Sequence, residues 1–157
     1  MTYKTILQPS KEVLYKDKGS KFYGYTFPIN ISEDYKEIID NLKQKHSKAG
    51  HFCFAYQCGI ETPYFRTSDD REPSNSAGMP IYGQLQAFDV TNILVVVVRY
   101  FGGTKLGVGG LISAYKETAK LSLEASALKT LDILVPYKLC FEYKDLSQVM
   151  RIIKKNS

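Results

Sequence analysis

The chain has 157 residues and a net charge of +5, from 21 Lys plus Arg against 16 Asp plus Glu. A chain of this length buries about two-thirds of the surface it exposes when unfolded, so it needs no disulfide or metal to fold. The basic excess suits a polyanionic partner without requiring one. Three cysteines with no Cys-x-x-Cys pair argue against a disulfide framework or a zinc site. Buried free thiols in a reducing, cytoplasmic compartment are expected, with Cys53 and Cys58 on opposite faces of one strand. Met1 is followed by no apolar leader, and the longest apolar run, residues 93–98, is too short to span a bilayer, so no membrane association is expected.

Residues 13–15 and 21–29 read as strands joined by a hairpin turn at Asp17-Lys18-Gly19-Ser20. Ser32 is the expected N-cap of a helix, with Glu33 and Asp34 where the helix dipole favours acids. Tyr35, Ile38, Ile39 and Leu42 give that helix one apolar face, and it ends near His46, before Gly50. A strand over 52–58 follows. Residues 67–80 form a polar loop long enough to point to function or disorder. A short helix over 80–88 and a turn over 89–92 lead into residues 93–99. This β-branched run reads as a central strand covered on both faces. Beyond the glycines, a helix over 111–127 turns Leu111, Tyr115, Thr118, Ala119 and Ser122 to one side. Residues 133–143 read as a strand interrupted at Pro136, and Leu146, Val149, Met150 and Ile153 as one face of a last helix.

Gly102, Gly103, Gly107, Gly109 and Gly110 lie between the apolar strand and the long helix. Glycines there allow positive φ and let another group approach the backbone. Free N–H groups of the turn and the helix start then form an anion-receptive site. Arg99 and Lys105 bracket the first glycines, Thr104 lies between them, and Lys116 and Lys120 follow along the helix. Tyr100 and Phe101 immediately precede Gly102 and can stack bases beside these cations or fill the core. Neither standard nucleotide loop is present. The P-loop needs Gly-Lys followed by Ser or Thr, yet Leu111 follows Gly110; the dinucleotide fingerprint needs Gly where Ile112 stands. A tight turn that only lets the helix pack against the strand stays open as the alternative.

Asp69, Asp70 and Glu72 offer carboxylates for Mg²⁺, or form a solvated acidic turn in which Asp69 or Asp70 caps N–H groups over 74–77. His51 begins a strand beside this loop, as an acid–base group or as a hydrogen-bonded structural histidine. Cys53 shares its strand face, but no third group to orient a nucleophile is evident.

The run from Arg99 through Gly102, Gly103, Thr104, Lys105, Gly107, Gly109 and Gly110 to Ala114-Tyr115 resembles the signature of the YigZ/IMPACT family. Ser68-Asp69-Asp70-Arg71-Glu72-Pro73 with Ala77-Gly78-Met79-Pro80 resembles its second motif, and His51 with Cys53 and Ala55 its third. Ser20-Lys21-Phe22 is similar to the family's opening segment. The resemblance implies an α+β, two-layer fold like domain 2 of ribosomal protein S-five, with a mixed sheet, a left-handed βαβ crossover and helices on one face. It implies a domain over 1–131, and over 132–157 a strand and helix matching a shortened start of a ferredoxin-like unit. Two departures stand out: the family usually has Gly at the position of Arg71 and often Arg at that of Ser113.

Eukaryotic members of that family regulate translation during amino-acid starvation, and no reaction is firmly assigned to the family. The leading expectation is a non-enzymatic module that binds RNA or the ribosome in translation or its control, without a cofactor. Two alternatives are an enzyme on a phosphorylated small molecule or nucleotide, with Asp69 or Asp70 holding Mg²⁺ and His51 moving the proton, and a protein-interaction module in stress signalling.

Overall fold

The β-branched run forms the middle of the molecule. In the computed structural model, which describes residues 1–31, 33–134 and 142–155, this run is strand β6 (Ile93–Tyr100). It is the central member of a five-stranded sheet in the order β2 (Val13–Asp17), β3 (Ser20–Pro28), β6, β4 (His51–Cys58) and β5 (Tyr64–Ser68). Every neighbouring pair is antiparallel, which corrects the mixed sheet expected above. Helix α1 (Asp34–Lys45) does connect two strands that run the same way, β3 and β4. However, β6 lies between them and pairs with each in the opposite sense.

Alternation along the strands divides the apolar residues between two cores. Cys53, Ala55, Val95 and Val97 pack with Ile81 and Leu85 of α2 (Gly78–Ala87) and with Tyr115 and Ala119 of α3 (Gly107–Glu124). On the other face, Phe54, Tyr56, Leu94 and Val96 pack with Ile39 and Leu42 of α1. The α+β class therefore stands, but the two-layer arrangement with helices on one face does not. A strand that is apolar on both sides needs cover on both, and α1 supplies the second cover. Cys53 and Cys58 lie in opposite cores, both buried and free, as their spacing implied.

Several boundaries differ from the sequence reading. Helix α3 begins a turn earlier, inside the glycines, and α2 begins at Gly78. Strands β1 (Thr2–Ile6) and β7 (Leu128–Asp132) form a separate antiparallel pair that the residue pattern did not flag, nor did it flag the short, exposed edge strand β5. The strand expected over 133–143 falls mostly on residues outside the described ones, as does the Ser32 N-cap. Helix α4 (Leu146–Lys155) forms as expected, after one helical turn at Tyr143–Asp145.

The β2–β3 hairpin turn is Lys18–Gly19, with φ of +46° and +84°. Positive φ at both central residues suits the right-handed twist of its strands. The turn is seated against Gly102, where a Cβ would stand 1.9 Å from the Gly19 carbonyl carbon. Only glycine fits there.

Leu94 is fully buried under α1, whereas Leu14 on edge strand β2 is exposed. Leu94→Ala should cost about 2–5 kcal/mol in urea unfolding and Leu14→Ala no more than about 0.5 kcal/mol. Equal losses would contradict the two-sided core.

Candidate functional site

Strand register assembles the site. Arg99 on β6 lies opposite Phe22 on β3 and His51 on β4, so all three share one face of the sheet. The segment after β5 brings Glu72 to this face, and α3 brings Tyr115. Arg99 Nη1 lies 2.8 Å from both carboxylate oxygens of Glu72, and their side chains are 6% and 4% exposed. The Tyr115 hydroxyl donates to Glu72 at 2.6 Å, and His51 Nε2 lies 3.3 Å from the same carboxylate. Arg99 Nη2 donates to Ser20 Oγ, which also accepts the Gly102 N–H. Phe22 and Phe101 lie against the Arg99 guanidinium, each with its ring centroid within 5.6 Å. Burial, then Cys53 and Glu72, push the Tyr115 phenol far up, so it remains a donor to Glu72.

The aspartates hold the preceding loop. Asp69 accepts the N–H groups of Asn75, Ala77 and Gly78 at 2.8–3.1 Å and so caps α2 from outside the helix. Asp70 Oδ2 accepts the Phe52 N–H at 2.7 Å, where β5 has ended and β4 lacks its strand partner. Asp69 is thus committed to backbone donors, and Asp70 to the Phe52 N–H and, at 3.6 Å, to the Arg71 guanidinium. Among the described residues no group of three His, Cys, Asp or Glu side chains comes together as a metal site. Arg71 occupies the left-handed region at φ +68°, the conformation for which glycine is the natural residue. Its Nη2 donates to the Gly50 carbonyl at 2.6 Å.

His51 Nδ1 donates to the Asp70 carbonyl at 2.8 Å, and its Nε2 lies beside Glu72. The side chain is 22% exposed. Cys53 Sγ–H donates to the Asp69 carbonyl, and burial pushes its thiol well up, so it is no nucleophile for His51.

Above this buried network lies a cleft of about 430 Å³ lined by His51, Arg71, Arg99, Phe101, Lys105 and the first turn of α3. The predicted site residues therefore separate into groups. Lys105 and Gly107 line the cleft, and Gly107 has the positive φ (+74°) that starts the helix there. Arg99 lies in its floor, bound to Glu72, and is not the surface cation expected. Gly103, Thr104 and Gly109 are exposed around the turn, and Gly110 closes it against Leu106. Lys116 and Lys120 are exposed farther along α3, with Lys120 near Glu124, and neither lines the cleft. Tyr100 faces the opposite side of the sheet, where its hydroxyl lies 2.6 Å from His46 Nδ1. Sequence reasoning gave Tyr115 only a packing role and missed His46. An i+4 helical face shows which residues are buried but not which polar tip meets a carboxylate.

His46 lies between two phenols, with Tyr25 at Nε2 (2.5 Å) and Tyr100 at Nδ1. Tyr25 spends its own proton on Glu12, so His46 Nε2–H donates to Tyr25 and Tyr100 donates to Nδ1. A neutral ring satisfies the whole chain.

An α+β domain with a cation-rimmed cleft at a glycine-rich strand-to-helix turn is what these elements define. Residues 18–123 match the Impact N-terminal domain, and the chain belongs to that family. The "IMPACT family member" of Haemophilus influenzae is 35% identical over 155 residues, which are 95% of this chain and 74% of that protein. "Protein IMPACT homolog" of Saccharomyces cerevisiae is 33% identical over 96 residues, 58% of this chain and 36% of that one. A crystal structure of a hypothetical protein, 29% identical, superposes with a TM-score of 0.83 over 98% of this chain and 75% of its own. The resemblance read from the motifs is thereby borne out. No helix among the described residues is long and apolar enough to cross a membrane.

Glu72→Ala should destabilise the protein by about 3–5 kcal/mol, because it leaves Arg99 buried and unpaired. Glu72→Ala with Arg99→Met should recover part of that loss in urea unfolding; a double variant worse than the single would refute the pairing argument.

Burial lowers the basicity of His46, with Glu12 partly opposing and Lys45 adding to the effect. The unfolded chain therefore takes up the His46 proton first as pH falls. The associated stability is complete above the ordinary value of 6.5 and declines below it. The urea midpoint should fall between about pH 7 and pH 5, and His46→Gln should flatten that fall.

Proposed function

We propose that this domain is a non-enzymatic binding module for RNA or the ribosome, working in translation or its regulation, with the cleft beside Lys105 as the phosphate contact. The observation that carries this reading is the division of labour around the cleft. Glu72, Arg99 and Tyr115, the groups with chemistry to offer, are bonded to one another in the buried floor. The exposed rim has Arg71, Lys105 and the N–H groups at the start of α3. Such a rim binds a phosphate and leaves it unchanged. The residues lining the cleft include three cations, Arg71, Arg99 and Lys105, against the single carboxylate of Glu72. The role of eukaryotic family members in translation supports the cellular setting, as does the chain's net charge of +5.

The enzymatic alternative has one observation in its favour: His51 Nε2 opens toward the cleft beside Glu72. It would require a phosphorylated small molecule as substrate. A thermal-shift screen of nucleotides with Mg²⁺ reads that alternative directly, and stabilisation by one of them would favour it.

Binding of RNA or ribosomes must weaken as salt rises, because it depends on counterion release. Titrating labelled RNA at several salt concentrations should give a negative slope of log affinity against log salt, and Lys105→Ala should reduce that slope by about 1. Failure of RNA and ribosomes alike to bind at low salt would sink the proposal.

A further inference from the structure

A second cleft, of about 450 Å³, lies on the other side of the glycine-rich turn, lined by Gly19, Lys21, Tyr23, Tyr100 and Phe101. Its character differs from that of the cleft over Arg99, since three of its five residues are aromatic and one is a lysine. Register explains the grouping. Lys21 on β3 pairs with Tyr100 on β6, and Tyr23 shares their face. The Tyr23 and Tyr100 rings meet edge to face at 5.7 Å, and His46 holds the Tyr100 hydroxyl from below. Phe101 belongs to both clefts. It is 57% exposed, an unusual position for a phenylalanine, and its ring is braced by the Arg99 guanidinium.

We infer that the two clefts together form a track for single-stranded nucleic acid, in which bases stack on Tyr23, Tyr100 and Phe101 while a phosphate of the same strand enters the Lys105 cleft. This inference rests on the RNA-binding reading above and narrows it to unpaired strands. Three features point to it. An exposed ring held rigid loses little freedom when a base stacks on it. Aromatic rings accept every base through its π-face, so they suit a strand whose bases are splayed out and not one whose bases are paired inside a duplex. Cations stand on both sides of Phe101, Lys21 in one cleft and Lys105 with Arg71 in the other, as a backbone crossing the ring requires. Charge complementarity thus selects a polyanion, and the rings select one with unstacked bases.

The test uses the full chain with three probes at low salt: a short oligouridylate carrying one fluorescent adenine analogue, an RNA duplex of equal length, and heparin. The single strand should bind on the order of tenfold tighter than the duplex, and Phe101→Ala should weaken the single strand by about tenfold while leaving heparin unchanged. The analogue should be quenched on binding, and Phe101→Ala should relieve the quenching. Phe101→Tyr, which keeps a ring, should retain both affinity and quenching. Phe101 is exposed, so its truncation leaves both cores intact. Equal affinity for duplex and single strand, or no loss in Phe101→Ala, would overturn the inference while leaving general polyanion binding in place. No binding of any probe would remove the RNA-binding reading as well.

Discussion

Glu72 and Arg99 are both withdrawn almost completely from water, and each comes from a different part of the chain. Burying two charges costs more than their attraction alone returns unless the remaining donors and acceptors are also satisfied. Here Tyr115 and Ser20 satisfy most of the set, Arg99 Nε is left without a partner, and His51 stands at its edge. What the pair provides is position. The segment after β5, the end of β6, the start of β3 and the middle of α3 all attach to one ionic centre. These segments together form the floor of the cleft.

The same centre separates charge by depth. The one carboxylate lining the cleft is neutralised from beneath by Arg99, and Arg71 at the rim pairs with Asp70 at 3.6 Å, so the field reaching solvent comes chiefly from Lys105 and the helix start. A negative ligand then meets cations at the rim without repulsion from Glu72. On the opposite face of the sheet, a neutral chain of Tyr100, His46 and Tyr25 orients the aromatic surface through hydrogen bonds alone. The two faces of β6 therefore place an ionic device and an aromatic one on consecutive residues, Arg99 and Tyr100. They point apart because side chains alternate along a strand.

Much of this was legible in the residues. The β-branched run specified a doubly covered strand, the apolar spacing over 35–42 specified α1, and the glycines marked the strand-to-helix turn. Three things were not. Which helix supplies the second cover escaped, because the apolar face of α1 shows that the helix packs but not on which side of the sheet. Strands β1, β5 and β7 escaped because short, half-exposed strands carry weak alternation, and their pairing partners are distant in sequence. The role of Arg99 escaped because a cation beside glycines looks the same on paper whether it faces phosphate or a buried carboxylate. Only the register of β3, β6 and β4, together with the return of the Glu72 segment, decides between these.

The contact between the β2–β3 turn and Gly102 has a bearing on how this protein tolerates change. Hairpin tips are ordinarily the places where a chain accepts extra residues, since nothing leans on them. Here the Gly19 backbone is seated where Gly102 lacks a side chain, and Ser20 ties that turn to the Arg99 centre. The length of this hairpin is set by a partner far along the chain, so an insertion at Lys18–Gly19 would unseat the glycine-rich turn as well. For placing a tag or a probe, the exposed segment between β4 and β5, whose tip Glu61–Thr62 faces solvent, is the sounder choice.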